Sequence, residues 1–265
     1  MPLSFRQQEI MDAARDAGRV LVDELAEQFK VTPQTIRRDL NELCDRGMLA
    51  RVHGGAVLAS GIENVGYEAR RIIAADEKTE IGRLCAAEIP NNASLFMNIG
   101  TTTEAVARAL LNHRNLLVIT NNLNVANTLI QNPSCEVIVA GGLLRRADGG
   151  LIGEATADFV KKFKVDYAVI GASAIDEDGA LLDYDYREVR VAQAIIENAR
   201  KTYLVADKTK LSRSAPVRIG HFSQITAFFT DEMTSPKLTQ ACTQHGVEVF
   251  SLTGQHPHRP VYSDL

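Results

Sequence analysis

From Ala93 onward the sequence alternates short, β-rich apolar runs with amphipathic helical segments, and few folds accept that order. The runs are ASLFMNIG, LLVIT, CEVIVAGG, VDYAVIGAS, KTYLVAD, ITAFFTD and VEVFSL. Between them lie TEAVARALL, NVANTLIQ, EATADFVKKF, YREVRVAQAIIENAR and SPKLTQACTQH. Strands that are apolar on both sides need cover on both sides, so the pattern predicts a parallel α/β sheet with helices on each face. In such sheets ligands settle at the carboxyl ends of strands, often against a helix N-terminus. The turn Gly100-Thr101-Thr102-Thr103 directly follows a strand and opens a helix. Glycine lets backbone N–H groups approach an anion and the hydroxyls add donors, an arrangement that holds a phosphate without lysine. Asn121 and Asn122, then Gly142, Gly171-Ala172-Ser173 and Asp207-Lys208 follow later strands. Asp183, Asp185 and Glu188 are either contacts for ligand hydroxyls or a loop capping the next helix. Each turn alone is as well explained by an ordinary helix cap; recurrence at successive strand ends is what points to a site.

The first sixty residues read as three short helices and a hairpin. Ser4 is placed to cap a first helix carrying Ile10, Met11 and Ala14, and Gly18 to stop it. Val20, Leu21 and Val22 form a short apolar run before Asp23, which is suited to cap DELAEQF, whose Leu25, Ala26 and Phe29 share a face. Thr32-Pro33 is the sharpest local signal: threonine caps, and proline at the first helical position sacrifices no hydrogen bond. Along the helix that follows, Ile36, Leu40 and Leu43 share one face. At about 100° per residue, Gln34, Arg38, Asn41 and Asp45 point the other way, flanked by Thr35 and Arg37, and Gly47 ends the helix. A second helix with a polar, arginine-bearing outer face after a tight turn is a helix-turn-helix. Gln pairs with adenine, Arg with guanine, and Thr with base or phosphate. The following MLARVHGGAVL makes a small wing, with Arg51 and His53 placed beside phosphates. The alternative on pattern alone is a solvated helix pair within a larger helical domain.

Length and charge fit two domains. At about 150 residues per domain, 265 residues give roughly 1.8. The formal net charge is −4, and residues 1–60 hold 8 basic and 9 acidic side chains, a net of −1, so DNA contact must come from a local basic face. No stretch approaches the ~18 apolar residues of a membrane helix, and the N-terminus lacks the apolar run of a signal peptide; the expectation is a cytoplasmic protein. Cys44, Cys85, Cys135 and Cys242 form no metal-binding spacing, and His256 and His258 sit in a Pro-rich tail, so neither metal nor cofactor is expected.

TPQTIRRDLNELCDRGMLARVHGGAV, within a match running from about Arg6 to Val57, resembles the DNA-binding signature of the DeoR family of bacterial regulators. Residues 76–252 resemble that family's effector domain, which shares a fold with ribose-5-phosphate isomerase. The strings NIGTTTEAVARALLNHRNLLVITNNLNVANTL and GGLIGEATADFVKKFKVDYAVIGASAIDEDGALLDYDYREVRVAQAIIENAR are most similar to the branch governing glycerol metabolism. The resemblance implies an N-terminal winged helix-turn-helix at 1–60, a linker and interdomain helix at 61–92, an α/β effector domain at 93–252 and a tail at 253–265. It implies a homo-oligomeric repressor of glycerol and glycerol-3-phosphate genes, bound to operator DNA and released by glycerol 3-phosphate, with another sugar phosphate as the alternative effector. Thr32, Gln34, Thr35, Arg37, Arg38, Asn41, Arg51 and His53 would contact DNA. Gly100, Thr101, Thr102 and Thr103 would cradle the phosphate, with Asn121, Asn122, Gly142, Asp183, Glu188 and Lys208 around the rest of the ligand. The chain departs from the family pattern at Asn98, where many members carry aspartate, and at Arg190, where many carry lysine, which leaves the polar contacts open. The rival reading is a sugar-phosphate isomerase, which needs a carboxylate base and an electrophile, nominally Glu188 and Lys208. Ser173 stands where the isomerase pattern carries a catalytic aspartate, so no enzyme is expected.

Overall fold

The computed structural model describes residues 3–17, 19–46, 48–52, 54–58 and 66–254, so Gly18, Gly47, His53 and the tail histidines His256 and His258 lie outside the described residues. By its internal contacts the chain divides into two compact units, Met1–Ala75 and Asp76–Leu265. The division falls inside the stretch read from sequence as a linker.

In the smaller unit, α1 (Phe5–Ala17) starts behind Ser4, whose hydroxyl accepts from the Gln7 amide at 3.2 Å. Strand β1 (Arg19–Leu21) leads straight into α2 (Val22–Gln28). Asp23 is therefore not the cap. Helix α2 begins before it, with Leu21 at the capping position and no side-chain cap, because the Val22 amide is taken by the Gly54 carbonyl at 2.9 Å. That strand-type bond satisfies one of the helix's orphan donors without a capping side chain. Helix α3 (Pro33–Asp45) starts as its sequence demands: Thr32 accepts from the Thr35 amide at 3.3 Å and Pro33 occupies the first turn. Strands β2 (Leu49–Val52) and β3 (Gly55–Leu58) form the wing, and β1 adds to β3, giving a three-stranded antiparallel sheet in the order β1-β3-β2. Ile10, Met11, Ala14, Leu25, Ile36, Leu40, Leu43 and Leu49 close one core beneath. Arg6 pairs with buried Asp39 at 2.5 Å and Gln7 donates to Glu42 at 2.8 Å, fixing α1 on α3. Helix α4 (Tyr67–Ile72) ends the unit's regular structure before α5 (Ala75–Ala87).

The larger unit is a helix–sheet–helix sandwich. Its main strands are β4 (Ser94–Met97), β5 (Leu116–Thr120) and β6 (Cys135–Val139), with α6 (Thr101–Ala109) and α7 (Leu123–Leu129) between them. A hairpin of β7 (Leu143–Arg145) and β8 (Gly150–Ile152) precedes α8 (Glu154–Val160) and β9 (Val165–Ile170). Then come β10 (Ala174–Ile175), β11 (Ala180–Asp183), α9 (Tyr186–Glu197) and β12 (Ala199–Val205). The chain closes with β13 (Val217–His221), β14 (Ala227–Thr230), α10 (Pro236–His245) and β15 (Glu248–Ser251). The seven runs read as strands form one sheet, in the order β15-β14-β12-β9-β4-β5-β6, and every neighbouring pair is parallel. Side chains of β4 alternate as a strand must. Leu95 and Met97 pack with Ile81 and Cys85 of α5 and with Val106, Val125 and Leu129, while Phe96 packs on the opposite face with Val160, Ile195 and Leu238. The hairpin β7–β8 and the small antiparallel sheet β10-β11-β13 are built from short strands that carry no long alternating pattern in the sequence. No helix among the described residues is long and apolar enough to cross a membrane.

Removal of the α3 cap by Thr32→Ala is expected to destabilise the smaller unit by about 1 kcal/mol. Urea unfolding followed by far-UV circular dichroism measures it, and an unchanged midpoint would remove Thr32 from the determinants of helix entry.

Candidate functional site

The order of the sheet fixes where a ligand can sit. Strands β4, β5 and β6 run outward in one direction, and β9, β12, β14 and β15 run outward in the other. The order therefore reverses between β4 and β9, and at such a switch point the two connections leave on opposite sides and open a crevice beyond the carboxyl ends. The residues at that place are Asn98 to Thr101 after β4 and Gly171 to Ser173 after β9.

Gly100 holds φ of 151° at the N-cap of α6, a value that favours glycine, and so turns the chain abruptly from strand into helix. Thr101, Thr102 and Thr103 are all buried in the first turn. The Thr103 hydroxyl lies 2.8 Å from the Asn98 carbonyl and 2.6 Å from that of Gly100, so it is engaged in shaping the turn. The first-turn amides of a helix have no intrahelical partner, and the positive end of the helix dipole lies with them, so the start of α6 suits an anion.

On β5, the Thr120 hydroxyl donates to the Met97 carbonyl at 2.7 Å and ties the two strand ends together. The Asn121 amide group donates to the Leu151 carbonyl at 3.0 Å, and the Asn122 carboxamide oxygen caps α7 at the Asn124 amide, 2.9 Å away. Asn122 and Asn124 both donate to buried Glu104, at 3.3 and 3.0 Å. The hairpin β7–β8 leans over this edge through the Leu151 amide, which donates to the Asn121 carbonyl at 2.7 Å. Gly142, after β6, has φ of 150°, and a Cβ there would fall 1.9 Å from the Thr156 hydroxyl, so no larger residue fits.

The acidic residues form a second group. Arg145, which the sequence reading missed, reaches Asp148 at 2.6 Å, Glu188 at 2.6 Å and Asp185 at 3.3 Å. These carboxylates hold its guanidinium firmly charged despite partial burial. Asp185 caps α9 by accepting from the Arg187 amide at 3.0 Å. Asp183 accepts from the Ser173 hydroxyl at 2.9 Å. The structure thus brings Gly100–Thr103, Asn121 and Asn122 together along the strand ends and draws Glu188 into the arginine cluster. Lys208 is half-exposed and ion-paired to Glu232 at 2.7 Å. The buried lysines near the end of β12 are instead Lys78 and Lys210, around Asp207, which has no solvent exposure. Burial pushes the Asp207 carboxyl up, but Lys210 and Lys78 more than offset it and hold it below the usual carboxylate range. Lys210 lies two residues after Lys208 in the run ADKTK; Lys78 is far away in the chain, and no local pattern marks it.

In the smaller unit Gln34, Arg37 and Arg38 are exposed along α3, with Thr35 and Asn41 half-buried. Arg38 lies 3.4 Å from Glu42, and Arg51 of β2 hydrogen-bonds Asn41, which joins the wing to the helix face.

The family signature described as the DeoR-like helix-turn-helix domain matches residues 6–61, and that of the DeoR C terminal sensor domain matches residues 73–232. The chain belongs to the DeoR family. Among DeoR-family relatives, the glycerol-3-phosphate regulon repressor of Escherichia coli is 48% identical over 94% of this chain and 99% of its own. The repressor of the same name from Haemophilus influenzae is 48% identical over 88% of this chain and 91% of its own. The transcriptional repressor CsqR of Escherichia coli is 42% identical over 92% of this chain and 94% of its own. These relatives are transcriptional repressors, not enzymes. A solved ribose 5-phosphate isomerase from Methanocaldococcus jannaschii aligns with 52% of this chain and 55% of its own at 14% identity and a TM-score of 0.39, a likeness too distant to speak for the site.

A depressed carboxyl contributes stability above its unfolded pKa, near 3.9, and loses it as pH falls through the folded value. Asp207→Asn would leave the buried lysines uncompensated and is expected to cost about 3–5 kcal/mol at pH 7. The gap to the wild type should narrow as pH is lowered from about 5 towards 2. Thermal melts across that range measure it, and a gap independent of pH would show that the charge of Asp207 is not what matters.

Proposed function

We propose that the chain is an effector-responsive repressor of glycerol and glycerol-3-phosphate metabolism genes, released from operator DNA by glycerol 3-phosphate. The observation that carries the reading is the strand-order reversal at β4, with the Gly100–Thr103 turn and the start of α6 beside it, an arrangement suited to an anionic ligand. The relatives named above support the identity of the ligand.

On this reading α3 enters the major groove. Gln34 and Thr35 face base edges, while Arg37, Arg38 and Arg51 contact phosphate or guanine. Asn41 holds Arg51 in place, and Thr32 shapes the start of the helix. Two or more copies associate and present their α3 helices to half-sites about 34–36 Å apart. The effector's phosphate takes the first-turn amides of α6 and the Thr102 hydroxyl. Thr101, Asn122, Gly142, Asp183 and Glu188 shape the surrounding wall. Lys208, paired to Glu232, stands with Asp207 and Lys210 at the end of β12. Effector binding weakens DNA binding only insofar as it prefers the low-affinity state, and typical coupling of about 1–3 kcal/mol gives a 5- to 150-fold loss.

Calorimetric titration of the purified protein with glycerol 3-phosphate tests the reading, with glycerol and inorganic phosphate as controls. Saturable binding that glycerol does not reproduce is expected, and no heat with glycerol 3-phosphate would contradict it. Arg38→Ala is expected to weaken operator binding by about 1–3 kcal/mol in a gel-shift titration. An unchanged affinity would take Arg38 out of the interface. Thr102→Ala should abolish release by effector while leaving operator affinity intact; loss of both would make that threonine structural.

A further inference from the structure

Among the described residues of the larger unit, the buried side-chain oxygens without a hydrogen-bond donor are Asn98 Oδ1, Asn121 Oδ1 and Asp207 Oδ2. All three stand at carboxyl ends of strands of one sheet, those of β4, β5 and β12. Asp207 Oδ2 faces the Lys78 ammonium at 4.0 Å, which accounts for it as an ion pair. Burying an acceptor without a donor costs stability, so the two asparagine oxygens side by side call for a cause. Asn98 and Asn121 are 2% and 1% exposed. Met97 pairs with Thr120 across β4 and β5, so the next residues, Asn98 and Asn121, stand side by side. The orientation of Asn121 is fixed by its partner: its Nδ2 donates to the Leu151 carbonyl at 3.0 Å, and a flipped amide would set oxygen against oxygen. Both asparagines adjoin the Gly100–Thr103 turn, Asn98 through its own carbonyl, which receives the Thr103 hydroxyl.

We infer that Asn98 and Asn121 are the specificity-determining residues of the effector site, accepting hydrogen bonds from two hydroxyl groups of a polyol phosphate. The chemistry separates the two halves of the ligand. A phosphate dianion offers acceptors only and belongs with the amide donors of α6; it cannot satisfy two carboxamide oxygens. A hydroxyl donates and can. The two asparagines therefore require a ligand with a hydroxylated carbon chain joined to the phosphate, and they exclude inorganic phosphate as a full occupant. A carboxamide is neutral, so it accepts from a hydroxyl without adding negative charge beside the phosphate. This inference rests on the reading of the strand ends as the effector site.

The test uses the full-length protein and its Asn98→Leu and Asn121→Leu variants. The probes are glycerol 3-phosphate, its two deoxy analogues (propane-1,2-diol 1-phosphate and 3-hydroxypropyl phosphate) and inorganic phosphate. The wild type is expected to prefer glycerol 3-phosphate to each deoxy analogue by about tenfold, the worth of one buried hydrogen bond. Each variant should lose the preference for one hydroxyl, to within about twofold, while its affinity for inorganic phosphate stays unchanged. Variants that keep the full preference for both hydroxyls would overturn the inference. Thermal melting of the ligand-free protein gives a second readout that needs no ligand. Leucine at position 98 removes an unsatisfied group from a site of similar volume, so the melting temperature should hold or rise. A fall of more than about 4 °C would show that the amide serves the fold and would overturn the inference. If the wild type binds none of the organic phosphates, the functional reading fails by itself, and the melting result alone decides whether Asn98 serves the fold or a ligand.

Discussion

At β4 the larger unit turns back on its own order, and most of what lies near the site follows from that reversal. A parallel sheet needs a crossover between successive strands, and the hand of those crossovers is fixed. Once β5 and β6 have been laid on one side of β4, the chain must return to its other side as β9, with helices on the opposite face. The carboxyl ends of β4 and β9 are then left with diverging connections and a gap between them. Asn98 and the Gly100–Thr103 turn stand at that gap, with Asn121 and Asn122 beside them at the end of β5.

The edge is held by a few committed contacts. The hydroxyls of Thr103 and Thr120 each bond a strand-end carbonyl and fix the turns, and the β7–β8 hairpin is bound down through Leu151 and Asn121. Arg145 carries the hairpin's far side onto Asp185 and Glu188 at the entrance to α9. Asp207, held charged by the buried Lys210 and Lys78, stands at the end of β12. The polar groups of the edge thus fall into two kinds: those already paired, which build the frame, and a small set of acceptors left without donors.

Much of this could be read from sequence because the strong signals are local. Seven apolar runs became seven strands, since two-sided burial leaves a continuous apolar signature. Thr32-Pro33 marked the start of α3 because capping chemistry depends on adjacent residues. What escaped depends on distant partners. Asp23 lost its expected role because Gly54 satisfies the Val22 amide. Only the fold shows that Lys210 is buried beside Asp207, and Lys78 and Arg145 reach their carboxylates across long stretches of chain. The short strands β10, β11 and β13 leave too few residues for a period to register.

The most direct measurement is hydrogen–deuterium exchange of the purified protein with and without saturating glycerol 3-phosphate, read peptide by peptide. An effector seated at the β4–β9 switch point should slow exchange in the segments 98–104 and 120–124, while the amino ends of the same strands, around 94 and 116, remain unchanged. Protection confined to other parts of the sheet, or none at saturating ligand, would contradict the placement of the effector site.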